Sequence, residues 1–186
     1  MPPETLRLVI PRTVWFLRCF HLSSQTSFES DSELFKIGSE AFAEGYRPGS
    51  ITLPCNLRIL DSKAFARYSG LRQVLFEPGS KLVRIESEAF FGSYSLRSIE
   101  IPCSVKILGS DVFKCCLGLR RVLFESGSKL REMGSNCFVK TDDRFVAPKV
   151  QFIAPKVRIV TSEEPVRDLI SRTQGDTVTL SSSLSK

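Results

Sequence analysis

The sequence predicts an α/β repeat solenoid: a right-handed coil with a short parallel β-ribbon, built mostly of strand and loop with short helical turns. Three observations predict it. Residues 51–90 align with residues 99–138 at a shift of 48, with 20 identities in the 40 pairs. Phenylalanine occurs 14 times against one Trp, three Tyr and two Met, as expected of an aromatic that recurs at one structural position. Within every unit the apolar residues also fall in the same short patterns, which a single turn cannot bury and a stack of turns can.

The same shift carries FESDSELFKIGSEAF (28–42) onto FEPGSKLVRIESEAF (76–90), and each unit divides into related halves of 23 and 25 residues. About five turns result, at 28–50, 51–73, 74–98, 99–121 and 122–146. Ahead of them, residues 1–27 read as a degenerate repeat that caps the open end, with Trp15 and Phe16 over the first ring of the core. Each turn opens on a Leu-x-x-(Val/Ile)-x-(Phe/Leu/Ile) run: Leu71, Val74 and Phe76; Leu96, Ile99 and Ile101; Leu119, Val122 and Phe124. The last two members alternate with period two, as a strand with one buried face must. Pro-x-x or Glu-x-Gly-Ser follows and reverses the chain. A second short apolar piece comes next (Leu82 and Ile85; Val105 and Ile107).

Each turn then carries a small residue beside a Phe: Ala41–Phe42, Ala64–Phe65, Ala89–Phe90, Val112–Phe113 and Cys137–Phe138. Stacked turns would bring these rings into one column, and the small neighbour lets the coils approach. Past the repeats, the near-duplicate FVAPKVQ and FIAPKVR reads as extended segments capping the far end over residues 147–160. Residues 161–186 lose the apolar period and end in TLSSSLSK, which reads as a disordered Ser/Thr-rich tail with one weak helix over Glu163–Ser171.

Ordered in this way, the residues resemble the BspA-type leucine-rich repeat, Leu-x-x-Ile-x-Ile-Pro-x-Ser-Val-x-x-Ile-Gly-x-x-Ala-Phe-x-x-Cys-x-x-Leu. The match is clearest at Leu96, Ile99, Ile101, Pro102, Ser104, Val105, Leu108, Gly109, Phe113, Cys116 and Leu119. It extends over residues 28–146, with a truncated echo at Ile10–Leu17. Tyr68 and Ser93 stand where the pattern has Cys, and Pro48 and Arg144 where it has Leu. The resemblance implies a leucine-rich-repeat coil and a non-enzymatic module, antigen-like, that binds another protein at a microbial cell surface.

Chemistry-bearing residues are scattered. Of Cys19, Cys55, Cys103, Cys115, Cys116 and Cys137, Cys55 and Cys103 recur two turns apart, ~10 Å at the ~4.8 Å spacing of stacked strands. That exceeds the ~7 Å reach of a disulfide. Cys116 and Cys137 sit at positions that favour small buried side chains, and the adjacent Cys115 points outward. No Cys-x-x-Cys or Cys/His cluster marks a metal site. His21 stands alone, so no nucleophilic triad can be assembled around it. Gly-Ser-Lys at 79–81 and 127–129 recurs with the coil and lacks phosphate-loop spacing. Glu86 and Glu88 fall on turns, where water solvates them. No catalytic residue, metal or cofactor is expected.

The formal charge is +6, divided evenly among residues 1–27, 28–146 and 147–186. A nucleic-acid surface concentrates its basic residues on one face, so a protein partner and a monomeric chain are expected. A basic nucleic-acid-associated protein and an intracellular scaffold are the alternatives. The stretch from Leu6 to Leu22 is interrupted by Arg7, Pro11, Arg12 and Arg18, a poor signal peptide and a poor membrane span. Location at a cell surface therefore follows from the resemblance alone.

In the stacked sheet, the outward positions are Gln25 and Ser27, Ser50 and Thr52, Gln73 and Leu75, Ser98 and Glu100, and Arg121 and Leu123. Five such rungs make a ribbon ~24 Å long. The candidate protein-binding face is Gln73, Leu75, Ser98, Glu100, Arg121 and Leu123, with the two leucines on alternate rungs. Stacked Arg72, Arg97 and Arg120 are expected to pair with Glu77 and Glu125 across turns.

Overall fold

The computed structural model describes residues 7–11, 13, 16–17, 25–29, 31–46, 48–137, 151–153, 158–159 and 178–179. The strands, in chain order, are β1 (Arg7–Ile10), β2 (Phe16–Leu17), β3 (Gln25–Phe28), β4 (Lys36–Ile37) and β5 (Gly49–Leu53). They continue with β6 (Ile59–Leu60), β7 (Leu71–Phe76), β8 (Arg84–Ile85), β9 (Ser98–Ile101) and β10 (Ile107–Leu108). The last are β11 (Arg121–Phe124), β12 (Glu132–Met133), β13 (Gln151–Ile153), β14 (Arg158–Ile159) and β15 (Val178–Thr179).

From β5 onward, each coil up to β14 contributes one strand to each of two parallel sheets. The larger runs β5-β7-β9-β11-β13, with β15 added antiparallel on β13. The second, smaller in residues although it has seven strands against six, runs β2-β4-β6-β8-β10-β12-β14 in rungs of two residues. In the larger sheet Ile51, Leu53, Val74, Ile99, Ile101, Val122 and Phe124 point inward and are buried, as the period-two pattern predicts. In the smaller sheet the inward members are Ile37, Leu60, Ile85 and Leu108. Leu108 takes the place expected of Ile107, because the rung Ile107–Leu108 aligns with Arg84–Ile85.

The third side carries the phenylalanines. Rings of Phe42, Phe65, Phe90 and Phe113 stack in one file, 4.8, 5.4 and 5.5 Å between centroids and within 9° of parallel. Ala41, Ala64, Ala89 and Val112 beside them are buried, so no side chain holds the coils apart. Among the described residues this side contains no helix, contrary to the short helical turns the sequence suggests. The backbone explains why. The amides of Phe42, Phe65, Phe90 and Phe113 donate to the carbonyls of Ala64, Ala89, Val112 and Cys137 in the next coil. The amides of Ala41, Ala64 and Ala89 close tight turns within their own coil, on Gly38, Asp61 and Glu86. Left-handed backbone at Glu40, Lys63, Glu88 and Asp111, with φ of 57–59°, interrupts any helix and aims alternate amides at the neighbour. The ladder between coils replaces the hydrogen bonds a helix would make.

The 48-residue period also has a cause. Coils turning at Pro54–Cys55 and Pro102–Cys103 alternate with coils turning at Glu77 and Glu125. Glu77 accepts the Cys55 amide at 2.9 Å, and Glu125 accepts the Cys103 amide at 2.9 Å. Each carboxylate thus satisfies a backbone donor of the adjacent coil, so two coils form the unit.

Departures from the Cys position are matched by their neighbours. Cys116 Sγ donates to the Phe90 carbonyl at 3.0 Å, and Ser93 Oγ donates to the Phe65 carbonyl at 2.7 Å. Tyr68 instead stacks beside Phe65, 6.5 Å between centroids. Its ring occupies the space at Gly45, where a Cβ would stand 2.5 Å from it.

One rung of the expected ribbon lies elsewhere. Gln25 and Ser27 pair with Arg7 and Val9 in a separate two-stranded sheet, so the hydrogen-bonded ribbon begins at β5. The side chains of Trp15 and Phe16, Cys19, His21, Phe138 and Arg144, the helix over Glu163–Ser171 and the rest of the tail outside β15 lie outside the described residues.

Candidate functional site

The outer face of the larger sheet is set by strand register. Ser50 pairs with Gln73, Gln73 with Ser98, and Ser98 with Arg121. Beside this column runs a second, in which Thr52 pairs with Leu75 and Glu100 with Leu123. The six candidate residues therefore lie together on three adjacent strands. Gln73, Leu75, Glu100 and Arg121 are exposed, while Ser98 and Leu123 are half-buried. Leu75 keeps 40% of its surface in contact with water. None of the six side chains enters an ion pair or hydrogen bond with another described residue. Of the outward positions on β5, β7, β9 and β11, Glu100 is the one carboxylate and Arg121 the one cation.

Arg72, Arg97 and Arg120 border this face. Gly49 pairs with Leu71 and Ser50 with Gln73, which leaves Arg72 as the extra residue of a bulge. The Arg97 amide donates to the Arg72 carbonyl, and the Arg97 carbonyl accepts the amides of both Arg120 and Arg121. The expected ion pairs with Glu77 and Glu125 do not form, since both carboxylates are turned to the backbone of the adjacent coil.

A feature the sequence reading misses lies at the other edge of the phenylalanine side. Tyr46, Tyr94 and Leu117 follow Phe42, Phe90 and Phe113 by four residues each and are 63%, 50% and 38% exposed. Their common offset from the ring is the signal that could have found them.

Cys116 and Cys137 are buried and bonded to backbone carbonyls, as structural thiols are. Cys55, Cys103, Cys115, Cys116 and Cys137 form no disulfide. Burial pushes the thiols of Cys116 and Cys137 up to about 12, which leaves them protonated donors to backbone carbonyls and weak nucleophiles. Among the described residues no group of three or more His, Cys, Asp or Glu gathers to hold a metal ion. Nor is any helix among them long and apolar enough to cross a membrane.

A family model for the BspA type leucine-rich repeat region matches residues 17–143 in six copies. Among solved structures, the pneumococcal vaccine antigen PcpA is similar at 23% identity and a TM-score of 0.58, over 70% of this chain and 45% of that one. A leucine-rich cell surface protein from Faecalibacterium prausnitzii aligns at 21% identity, TM-score 0.46, over 64% of this chain and 39% of its own. A leucine-rich repeat protein of T. pallidum aligns at 20% identity, TM-score 0.45, over 72% and 65%. The chain thus spans less than half the length of the first two. No curated protein matches the sequence.

Proposed function

The chain belongs to the BspA-type leucine-rich repeat family, whose members are typically surface or protein-interaction modules, and from that premise we propose that it is a non-enzymatic protein-binding module. Its contact surface is the outer face of the larger sheet: Gln73, Leu75, Ser98, Glu100, Arg121 and Leu123. One observation carries this reading. The six side chains stand in register on three hydrogen-bonded strands, and among the described residues none of them is taken up in an ion pair or side-chain hydrogen bond. Side chains already aligned by strand pairing lower the ordering cost of binding, and an aliphatic patch beside Arg suits a protein contact.

The test is capture of partners by the full chain against a Leu75→Asp/Leu123→Asp variant. Both leucines lie on the outer face, Leu75 exposed and Leu123 half-buried, so the variant should still unfold cooperatively above the assay temperature and lose its partners. Recovery of the same partners by both proteins would place the contact elsewhere.

A further inference from the structure

Charge is distributed unevenly around the solenoid. Lys36 reaches Asp61 (2.6 Å), Lys63 reaches Glu88 (3.9 Å) and Arg67 reaches Glu44 (3.9 Å), each from one coil to another. Arg84 pairs with Glu86 (2.7 Å) and Lys114 with Asp111 (2.9 Å) within a coil. Arg72, Arg97 and Arg120 stand outside this scheme. All three are exposed and sit on consecutive coils, linked by backbone hydrogen bonds of 3.1 and 2.8 Å. No described carboxylate pairs with them. Like charges stacked at ~5 Å repel, so the file detracts from stability where interleaved charges would have served solubility. A second basic file, Arg58, Lys106 and Arg131 beside the smaller sheet, is interrupted by Val83.

We propose that the Arg72–Arg97–Arg120 file is the docking site for an acidic, extended segment of a partner protein. The segment lies across the coils, with carboxylates on the guanidinium groups and its apolar side chains against Leu75 and Leu123. This inference rests on the reading of the sheet's outer face as the contact surface. Guanidinium binds carboxylate through two parallel hydrogen bonds. An extended chain advances ~3.3 Å per residue, so acidic residues at alternate positions are ~6.6 Å apart, within reach of long side chains rooted ~5 Å apart. The neighbouring residues favour a polypeptide over a uniformly charged nucleic acid. Exposed Leu75, with half-buried Leu123 on an alternate rung, gives a sugar–phosphate backbone nothing to bury, whereas the apolar side chains of a peptide can cover it.

The probe is a short fluorescent peptide with Glu at alternate positions and Leu and Ser between, titrated with the full chain at ~50 mM salt. Wild type should bind it, more weakly as salt rises, and should bind the all-Gln counterpart and an oligonucleotide of equal charge at least ~10-fold more weakly. The Arg72→Gln/Arg97→Gln/Arg120→Gln variant should lose ~10-fold or more in affinity. Removing the same charge with Arg58→Gln/Lys106→Gln/Arg131→Gln should change it less than ~2-fold. Equal loss in both variants would reduce the effect to net charge and overturn the site. Oligonucleotide binding as tight as peptide binding, or no peptide binding, would overturn the acidic partner. Unfolding temperatures equal to or above wild type show that the arginine variant folds. If partner capture survives the arginine changes and fails with Leu75→Asp/Leu123→Asp, the acidic segment is wrong and the contact face stands. If capture survives both, the two readings fail together.

Discussion

On the phenylalanine side of the coil, Ala41–Phe42, Ala64–Phe65, Ala89–Phe90 and Val112–Phe113 repeat almost unchanged. Over the same stretch, the outer face of the larger sheet reads Ser50/Thr52, Gln73/Leu75, Ser98/Glu100 and Arg121/Leu123. Both sides obey one spacing between coils, and backbone hydrogen bonds tie both to their neighbours. They differ in what surrounds the side chains. Each ring must fit between the rings above and below it, so one misfit disturbs two contacts. Each outer residue meets water, so its identity is free to follow a partner.

The contrast predicts its own largest effect. Phe90 lies between Phe65 and Phe113 and is fully buried, so Phe90→Ala should cost about 3–5 kcal/mol in urea unfolding. Leu75→Ala on the outer face should change stability by less than about 0.5 kcal/mol. Similar losses at the two positions would erase the distinction between the sides. Next in size is Gly109→Ala. A Cβ there would stand 2.4 Å from the Ser87 nitrogen and 2.7 Å from the Glu86 carbonyl carbon, both backbone atoms of the adjacent coil. A loss of about 1–3 kcal/mol is expected, and an unchanged denaturant midpoint would show that coil spacing yields easily.

The phenylalanine side was the more legible in sequence, because packing repeats a residue type and repetition can be counted. Phe65, Phe90 and Phe113 announced the column, and Val74, Ile99 and Val122 the inward face of the ribbon. The expected helical turns were wrong, because left-handed backbone at Lys63, Glu88 and Asp111 leaves no mark in residue identity. The link between Glu77 and Cys55 was hidden for another reason. It joins residues 22 apart, and the period of 48 reports such pairing without saying which atoms meet. The outer residues were identified by alternation alone. Alternation says where a side chain points and nothing of what it contacts, so Arg72 and Glu77 were expected to pair across turns, when Glu77 takes the Cys55 amide and Arg72 is exposed.

That pairing gives the third prediction. Glu77 is half-buried and accepts a backbone amide of another coil, so Glu77→Ala should cost about 1–2 kcal/mol. Glu125→Ala, the same substitution one double unit later at an exposed carboxylate, should cost less. The two together measure how strongly the double repeat is held at its turns. An equal and negligible loss at both would mean that coil alternation stabilises nothing and is only a pattern in the sequence.

The smallest effect belongs to the paired charges at the surface, and pH reads it. Burial pushes the Asp61 carboxyl up, but the hydrogen bond from Lys36, the Ser62 amide and the Lys36 charge outweigh it and hold the carboxyl below its ordinary value. A carboxylate depressed in the folded state stabilises it fully above the unfolded-state value of ~3.9. That contribution disappears as pH falls through the lower folded-state value. Asp61→Asn should therefore cost about 0.2–1 kcal/mol at neutral pH, with the difference from wild type shrinking below pH ~4. A difference that stays constant down to acid pH would show that the Lys36–Asp61 pair, 2.6 Å apart, contributes no charge interaction between coils. Their cohesion would then come from the rings and the backbone ladders, which do not titrate.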